Sequence, residues 1–264
     1  MIQDEVEING VRVNVAVWGH DAEPIATIVG IHGFGPAGFT SFERVGSKFA
    51  GESVRLVAPD LPGFGGSERL NRYSLRLYSD IVHGITARYA APVTVVLGHS
   101  FGAKVVLAAI CDAPELFSGF VLVNPGGFSG PTEHLIKLGD VPIVKDFLSQ
   151  PWFYKVVALA GIRHPVSNEE FRAAARELSG SYRELDLGTT EYSTQIQAIS
   201  QPGQLIWGGA DPILSTSVID RVRKIFPDIH YTEIREAGHA PMRSKPDQFT
   251  NSTMQFLKSL GLSY

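Results

Sequence analysis

A serine set between two glycines, GHSFG at residues 98–102, is the first group in this chain whose surroundings suggest chemistry. A serine hydroxyl is a weak nucleophile until a base takes its proton and a third group orients that base. The pentapeptide therefore gains meaning only from partners elsewhere. Among the eight histidines, His239 in EAGHAPM is the best candidate base, because it follows the strand-like run IHYTEIRE and precedes the last helical segment. Asp211 in WGGADPI stands just beyond the apolar run GQLIWGG. Ser100, Asp211 and His239 thus each follow a strand-like run, and together they can perform acyl transfer with nucleophile, orienting acid and base. Asn124 in VNPGG occupies another strand end but cannot supply a charge. Asp220 and Asp228 are expected to be solvated. His32 and His99 are expected to be structural, and His20, His83, His134, His164 and His230 lack a comparable placement.

An oxyanion needs backbone N–H donors that are in place before the charge develops. Phe101 follows the serine and opens a helix-like segment, FGAKVVLAAI, where the helix dipole favours negative charge. A second donor is expected from Phe34 in IHGFGPAGF, where Gly33 and Gly35 let the backbone approach a substrate. Phe39, Phe128, Trp152, Phe153 and Met242 are the apolar groups expected to line a substrate pocket. Cys111, the single cysteine, lies in the apolar run VVLAAICDA and reads as a buried structural thiol.

These groups need a scaffold that brings distant strand ends to one edge. The opening VEINGVRVNVAVWG alternates around Asn9-Gly10, the pattern of a hairpin with a tight turn. The runs at 26–33, 54–60, 93–100, 119–126 and 203–209 are apolar without alternation, as strands covered on both faces are. Helical spacing lies between them, in SFERVGSKFA, in SLRLYSDIVHGITARYA with Ser74 as its cap, in STSVIDRVRKIF and in DQFTNSTMQFLKSLG, ended by Gly261. The alternation predicts an α/β architecture, a doubly wound, mostly parallel sheet that is antiparallel at its first hairpin. The rhythm breaks over residues 128–202. There PIVKDFLSQPWFYKVVALAG, SNEEFRAAARELSG with a Ser167/Glu170 capping box, and ELDLGTTEYSTQIQAI read as helices with no strand between them. This segment is expected to be an inserted helical lid, with residues 1–127 and 203–264 forming the core.

A chain of 264 residues with 44% hydrophobic and 19% charged residues suits one large globular domain. The net charge of −4 gives no electrostatic reason to expect nucleic acid or an anionic membrane as partner. The acidic start MIQDEVEINGVRVNV is unlike a signal peptide, and no apolar run is long enough to span a membrane, so a cytoplasmic location is expected. No histidine–carboxylate cluster with metal spacing stands out, and the expected partner is a small-molecule substrate with no cofactor or metal.

With these residues in place the sequence resembles the α/β-hydrolase fold family, and the resemblance runs almost from end to end. HGFG at 32–35 matches the family's HGxG oxyanion loop. APDLPGFGGSE at 58–68 matches its D-x-P-G-x-G-x-S segment, in which Asp60 is structural. GHSFG, WGGAD and AGHAP match its nucleophile, acid and base segments. The resemblance implies an eight-stranded sheet and a serine hydrolase of carboxylesterase type. Ser100 argues against epoxide hydrolases and haloalkane dehalogenases of this fold, which carry an aspartate at the elbow. HGFGPAG is also similar to the HGxGPG loop of meta-cleavage-product hydrolases, with Ala37 in place of the second glycine, so carbon–carbon bond hydrolysis of a diketone acid is an alternative. Such a substrate calls for a cation, for which Lys104, Lys137, Lys145, Arg163 and Arg243 are the candidates. A non-hydrolytic member of the same fold, whether receptor, lyase or cofactor-free oxygenase, is the alternative of a different class. Ala103 and Lys104 follow the elbow where many relatives have a further glycine, and Ser244 stands where many have a glutamate.

Overall fold

The computed structural model of the protein describes residues 1–20, 23–34, 38–128, 178, 181, 187 and 190–262. In chain order the strands are β1 (Ile2–Ile8), β2 (Val11–Trp18), β3 (Ala26–Ile31), β4 (Val54–Pro59), β5 (Val93–His99), β6 (Gly119–Val123), β7 (Gly203–Gly208) and β8 (His230–Ile234). The described helices are α1 (Glu43–Gly51), α2 (Leu75–Tyr89), α3 (Phe101–Asp112), α4 (Tyr192–Gln195), α5 (Ser217–Ile225), α6 (Pro241–Ser244) and α7 (Pro246–Ser259). The eight strands form one sheet in the order β1-β2-β4-β3-β5-β6-β7-β8. β1 and β2 pair antiparallel, as do β2 and β4, and every other pair is parallel.

Local chemistry fixes these elements as expected. Asn9 and Gly10 both sit at positive φ, 52° and 79°, which matches the right-handed twist of the hairpin strands. The Ser74 hydroxyl accepts the Leu77 N–H at 3.0 Å and starts α2. Because successive side chains point to opposite faces, the continuous apolar runs feed two cores. Val29, Ile31, Val96, Phe120, Leu122, Leu205 and Trp207 pack with α2, α3 and α5. Ile28, Val95, Leu97, Val121, Val123 and Ile206 pack on the opposite face with α1 and α7. Among the described residues no helix is long and apolar enough to cross a membrane.

Most of the segment expected to be a helical lid, including the Ser167/Glu170 capping box, lies outside the described residues. Where its end is described, the helix expected over 184–199 is shorter: among the described residues there, only Tyr192–Gln195 is α-helical, and Ile196–Ala198 tightens into a 3-10 turn. Ile199 is extended, at φ −65° and ψ 120°. The chain there leaves helical geometry on its way to Pro202 and β7. This return segment is tied to the core at Asp112. That carboxylate accepts the Ser79 hydroxyl at 2.6 Å and the buried Tyr192 hydroxyl at 2.8 Å, and it pairs with Arg76 at 3.2 Å.

Candidate active site

β5 lies in the middle of the sheet, and its last residues face the ends of β3 and β6: Gly98 is opposite Ile31 and His99 opposite Val123. Ser100 follows at φ 51° and ψ −113°, immediately before α3. A non-glycine residue in this region costs on the order of 1–3 kcal/mol and persists only where its surroundings hold it. Three backbone hydrogen bonds do so. The Ser100 N–H donates to the Val123 carbonyl at 3.0 Å, and its own carbonyl accepts from Ala103 at 3.1 Å and Gly126 at 3.0 Å. The flanking glycines are required by close approach. A β-carbon at Gly98 would lie 2.5 Å from the Gly102 carbonyl oxygen, and one at Gly102 would strike the Ile31 carbonyl.

Asp211 follows β7, and its side chain is 1% exposed. Its Oδ1 accepts the N–H groups of Ile213 at 2.8 Å and Leu214 at 3.2 Å. Its Oδ2 lies 2.8 Å from His239 Nδ1 and accepts the Asn124 amide at 2.6 Å. Burial alone would push this carboxyl up. The hydrogen bond and charge of His239, with the N–H groups of Ile213 and Leu214, outweigh burial and hold it below the ordinary carboxylate range. The pairing gives His239 a fixed tautomer, with the proton on Nδ1 facing Asp211 and Nε2 left as the basic nitrogen. His239 sits between β8 and α6, 8% exposed, and its carbonyl oxygen lies 2.8 Å from Nε2 of His99, the residue before Ser100.

The loop after β3 lies beside the elbow, since a β-carbon on Gly33 would come 3.2 Å from Ser100 Cβ. The His32 ring holds the loop by donating from Nδ1 to the Gly33 carbonyl at 2.7 Å and accepting the Leu61 N–H on Nε2 at 3.0 Å. Burial pushes the His32 pKa down, against the attraction of Asp60 and the Gly33 hydrogen bond. Asp60 accepts from Phe39 N–H at 2.9 Å, from the Asn14 amide at 2.7 Å and from Gly66 N–H at 2.9 Å, so it braces the turn around which the loop closes. The rings of Phe34 and Phe101 meet edge-on at 6.3 Å, over buried Phe64 and Tyr78. Phe101 is the first residue of α3, so its N–H has no carbonyl partner one helical turn earlier.

A strained serine beside a helix start, on a parallel sheet whose other strand ends carry a buried Asp–His pair, places the chain within a known group. The model of the alpha/beta hydrolase family matches residues 28–251. The chain belongs to the alpha/beta hydrolase family. This alpha/beta hydrolase is 27% identical over 253 residues to the uncharacterized hydrolase YugF of Bacillus subtilis strain 168, covering 88% of this chain and 90% of that protein. It is 23% identical to a 2-hydroxy-6-oxononadienedioate/2-hydroxy-6-oxononatrienedioate hydrolase of a Pseudomonas species, covering 96% and 94% of the two chains. A crystal structure of a membrane phospholipase A superposes with a TM-score of 0.81 at 22% identity, covering 99% of this chain and 87% of that one.

In this hydrolase the described groups among those singled out for a pocket lie on both faces of the sheet. Trp152 and Phe153 lie outside the described residues, as do Gly35 and Ala37 of the HGFGPAG loop. Phe128 is 6% exposed and packs in the α3 core, whereas Met242 is fully buried and Phe39 half-buried on the α1 side of the sheet. The aliphatic stem of Lys104 runs against Gly127. Cys111 is half-buried, and burial, reinforced by Asp112, pushes its pKa up to about 12.

Two residues of the site escape a reading of the sequence. In the sequence Asn124 stands out only as a strand-end residue that cannot serve as the acid. It is fully buried at φ 39°, donating to Asp211 while its Oδ1 accepts the Gly208 N–H at 2.9 Å. Its position at a strand end, with a side chain able both to donate and to accept, was the available signal. His99 is the second, and no spacing pattern announces its bond to a residue 140 positions away.

Proposed function

We propose that this protein is a serine hydrolase that works by acyl transfer, most readily on a carboxylic ester of a small apolar substrate. The observation that carries the reading is the buried Asp211–His239 hydrogen bond of 2.8 Å, tied through His99 to a serine held at positive φ. In this mechanism His239 takes the Ser100 proton as the hydroxyl oxygen attacks the ester carbonyl, and Asp211 stabilises the imidazolium that results. The N–H groups of Phe34 and Phe101 receive the oxyanion, and His239 returns the proton to the leaving alcohol. Water, activated by His239, then cleaves the acyl-enzyme and restores Ser100.

The aromatic bed of Phe34, Phe101, Phe64 and Tyr78 supports a neutral apolar acyl group. Carbon–carbon hydrolysis of a diketone acid by the same groups is the second reading, supported by the HGFGPAG loop and by the likeness to the Pseudomonas hydrolase. A panel of nitrophenyl esters, a lactone, an amide and a ring-fission diketone acid, run on the wild type and Ser100→Ala, separates these readings. Ester turnover that falls at least about 1,000-fold in Ser100→Ala is expected. Preference for the diketone acid selects the second reading, and full activity of Ser100→Ala refutes the nucleophile. Covalent labelling by a fluorophosphonate without turnover of any substrate points instead to a ligand receptor.

A further inference from the structure

We infer that His99 is a positioning residue of the acyl-transfer machinery, its imidazole joining the loop that carries His239 to the elbow that carries Ser100. This rests on the hydrolase reading above, in which His239 is the base. His99 ends β5 and is 7% exposed. Its Nε2 lies 2.8 Å from the His239 carbonyl oxygen, and a carbonyl only accepts, so the proton is on Nε2. The two rings pack 5.0 Å apart at 55°. On its other side the ring faces the oxyanion loop, where a β-carbon on Gly33 would come 2.8 Å from His99 Nδ1. One side chain therefore touches the base loop and the oxyanion loop while its own backbone leads into Ser100.

A space-filling role does not account for an imidazole here. Nδ1 is buried without a hydrogen-bond partner among the described residues, so a leucine would fill the volume without stranding a polar atom. What the imidazole supplies, and leucine does not, is the N–H to the His239 carbonyl. Its neutrality also matters. Burial, then repulsion from His239 and more weakly from His32, pushes its pKa down to about 3, against the hydrogen bond to the His239 carbonyl and the attraction of Asp211. His99 therefore stays uncharged while His239 cycles through its protonated form 5.0 Å away.

The test uses the full-length enzyme with p-nitrophenyl butyrate, with active sites counted by fluorophosphonate titration and rates taken well below the melting temperature of each variant. His99→Leu is expected to lower kcat about 10- to 100-fold with KM changed less than about twofold, as small misplacements of a base do. His99→Gln, whose amide N–H can reach the same carbonyl, is expected to recover kcat to within about threefold of wild type. Wild-type kcat in His99→Leu overturns the proposal, and so does an equal loss in the two variants. If His99→Leu does not fold, imidazole nitrogen NMR of the wild type decides, with the His99 signals assigned by their absence in His99→Gln. A neutral Nε2–H ring that does not titrate between about pH 5 and 9 supports the assignment, and titration within that range overturns it. Ser100→Ala run alongside separates the two failures. If it turns over the ester, the hydrolase mechanism falls and this proposal with it; if it is inert while His99→Leu is fully active, only the proposal for His99 falls.

Discussion

Asn124 offers the sharpest test of how the acid is held. Replacing it by alanine removes the 2.6 Å hydrogen bond to Asp211 and leaves the Gly208 N–H, now bonded at 2.9 Å, buried without its acceptor. A hydrogen bond to a charged group contributes about 1.5–3 kcal/mol, and a stranded buried donor costs about 1–3 kcal/mol. The two overlap, and alanine is less at ease than asparagine at φ 39°, so a net loss of about 3 kcal/mol is expected. For a chain of this size that corresponds to a melting temperature lower by about 6–12 °C. If about half of the loss also falls on the orientation of Asp211 in the transition state, kcat drops roughly tenfold. Asn124→Asp sets a like charge against Asp211, so one carboxyl of the pair is held protonated well above the ordinary range. While protonated, the introduced group can still donate to Asp211. Its folded pKa is raised, so its destabilising effect grows as pH rises above the unfolded value of about 3.9 and ester hydrolysis should collapse on the alkaline side first. Melting curves and pH–rate profiles of the wild type and both variants are the assay. Wild-type kcat and melting temperature in Asn124→Ala would refute the reasoning outright.

Three further expectations follow from the same geometry. Asp211 has a depressed folded pKa, so its contribution to stability is complete above the unfolded pKa of about 3.9 and is lost as pH falls through the folded value; urea titrations from pH 7 to pH 3 should show this, and Asp211→Asn should flatten it. Tyr192→Phe removes the 2.8 Å bond to Asp112 and should cost about 1.5 kcal/mol in urea unfolding while leaving ester kcat/KM unchanged. With its pKa near 12, Cys111 should react with Ellman's reagent at pH 8 about a thousandfold more slowly than an ordinary exposed thiol, and a rapid stoichiometric reaction of the native protein would contradict the burial described.

Much of the scaffold was legible because each strand announces itself locally. The runs at 26–33, 93–100 and 203–209 are apolar on both faces, a pattern that only the covered middle of a sheet demands, and they became β3, β5 and β7. Asn9-Gly10 and Ser74 state their turn and cap in one or two residues. The strand order β2-β4-β3-β5 was not legible, since it depends on which edges meet after the chain has crossed over. The same limit hid Asn124 and His99. A side chain's partner 87 or 140 residues away leaves no periodic trace in a single sequence. The 3-10 turn at Ile196–Ala198 was lost because apolar spacing reports which face is buried but not how tightly the last turn is wound.

The bond between His99 and His239 spans 140 residues. At a synthesis rate of about 5–20 residues per second, the segment carrying the base leaves the ribosome roughly 7–28 s after the elbow does. Under the proposed mechanism, a nascent chain in that interval displays the serine first without Asp211 and His239 and then, once Asp211 has emerged 28 residues ahead of His239, still without its base. Chains truncated before β8 should therefore be inert toward fluorophosphonates, however well their first strands have paired. If Ser100 is the nucleophile proposed above, the topology acts as a safety catch, switching it on only when the sheet has been completed out to its far edge.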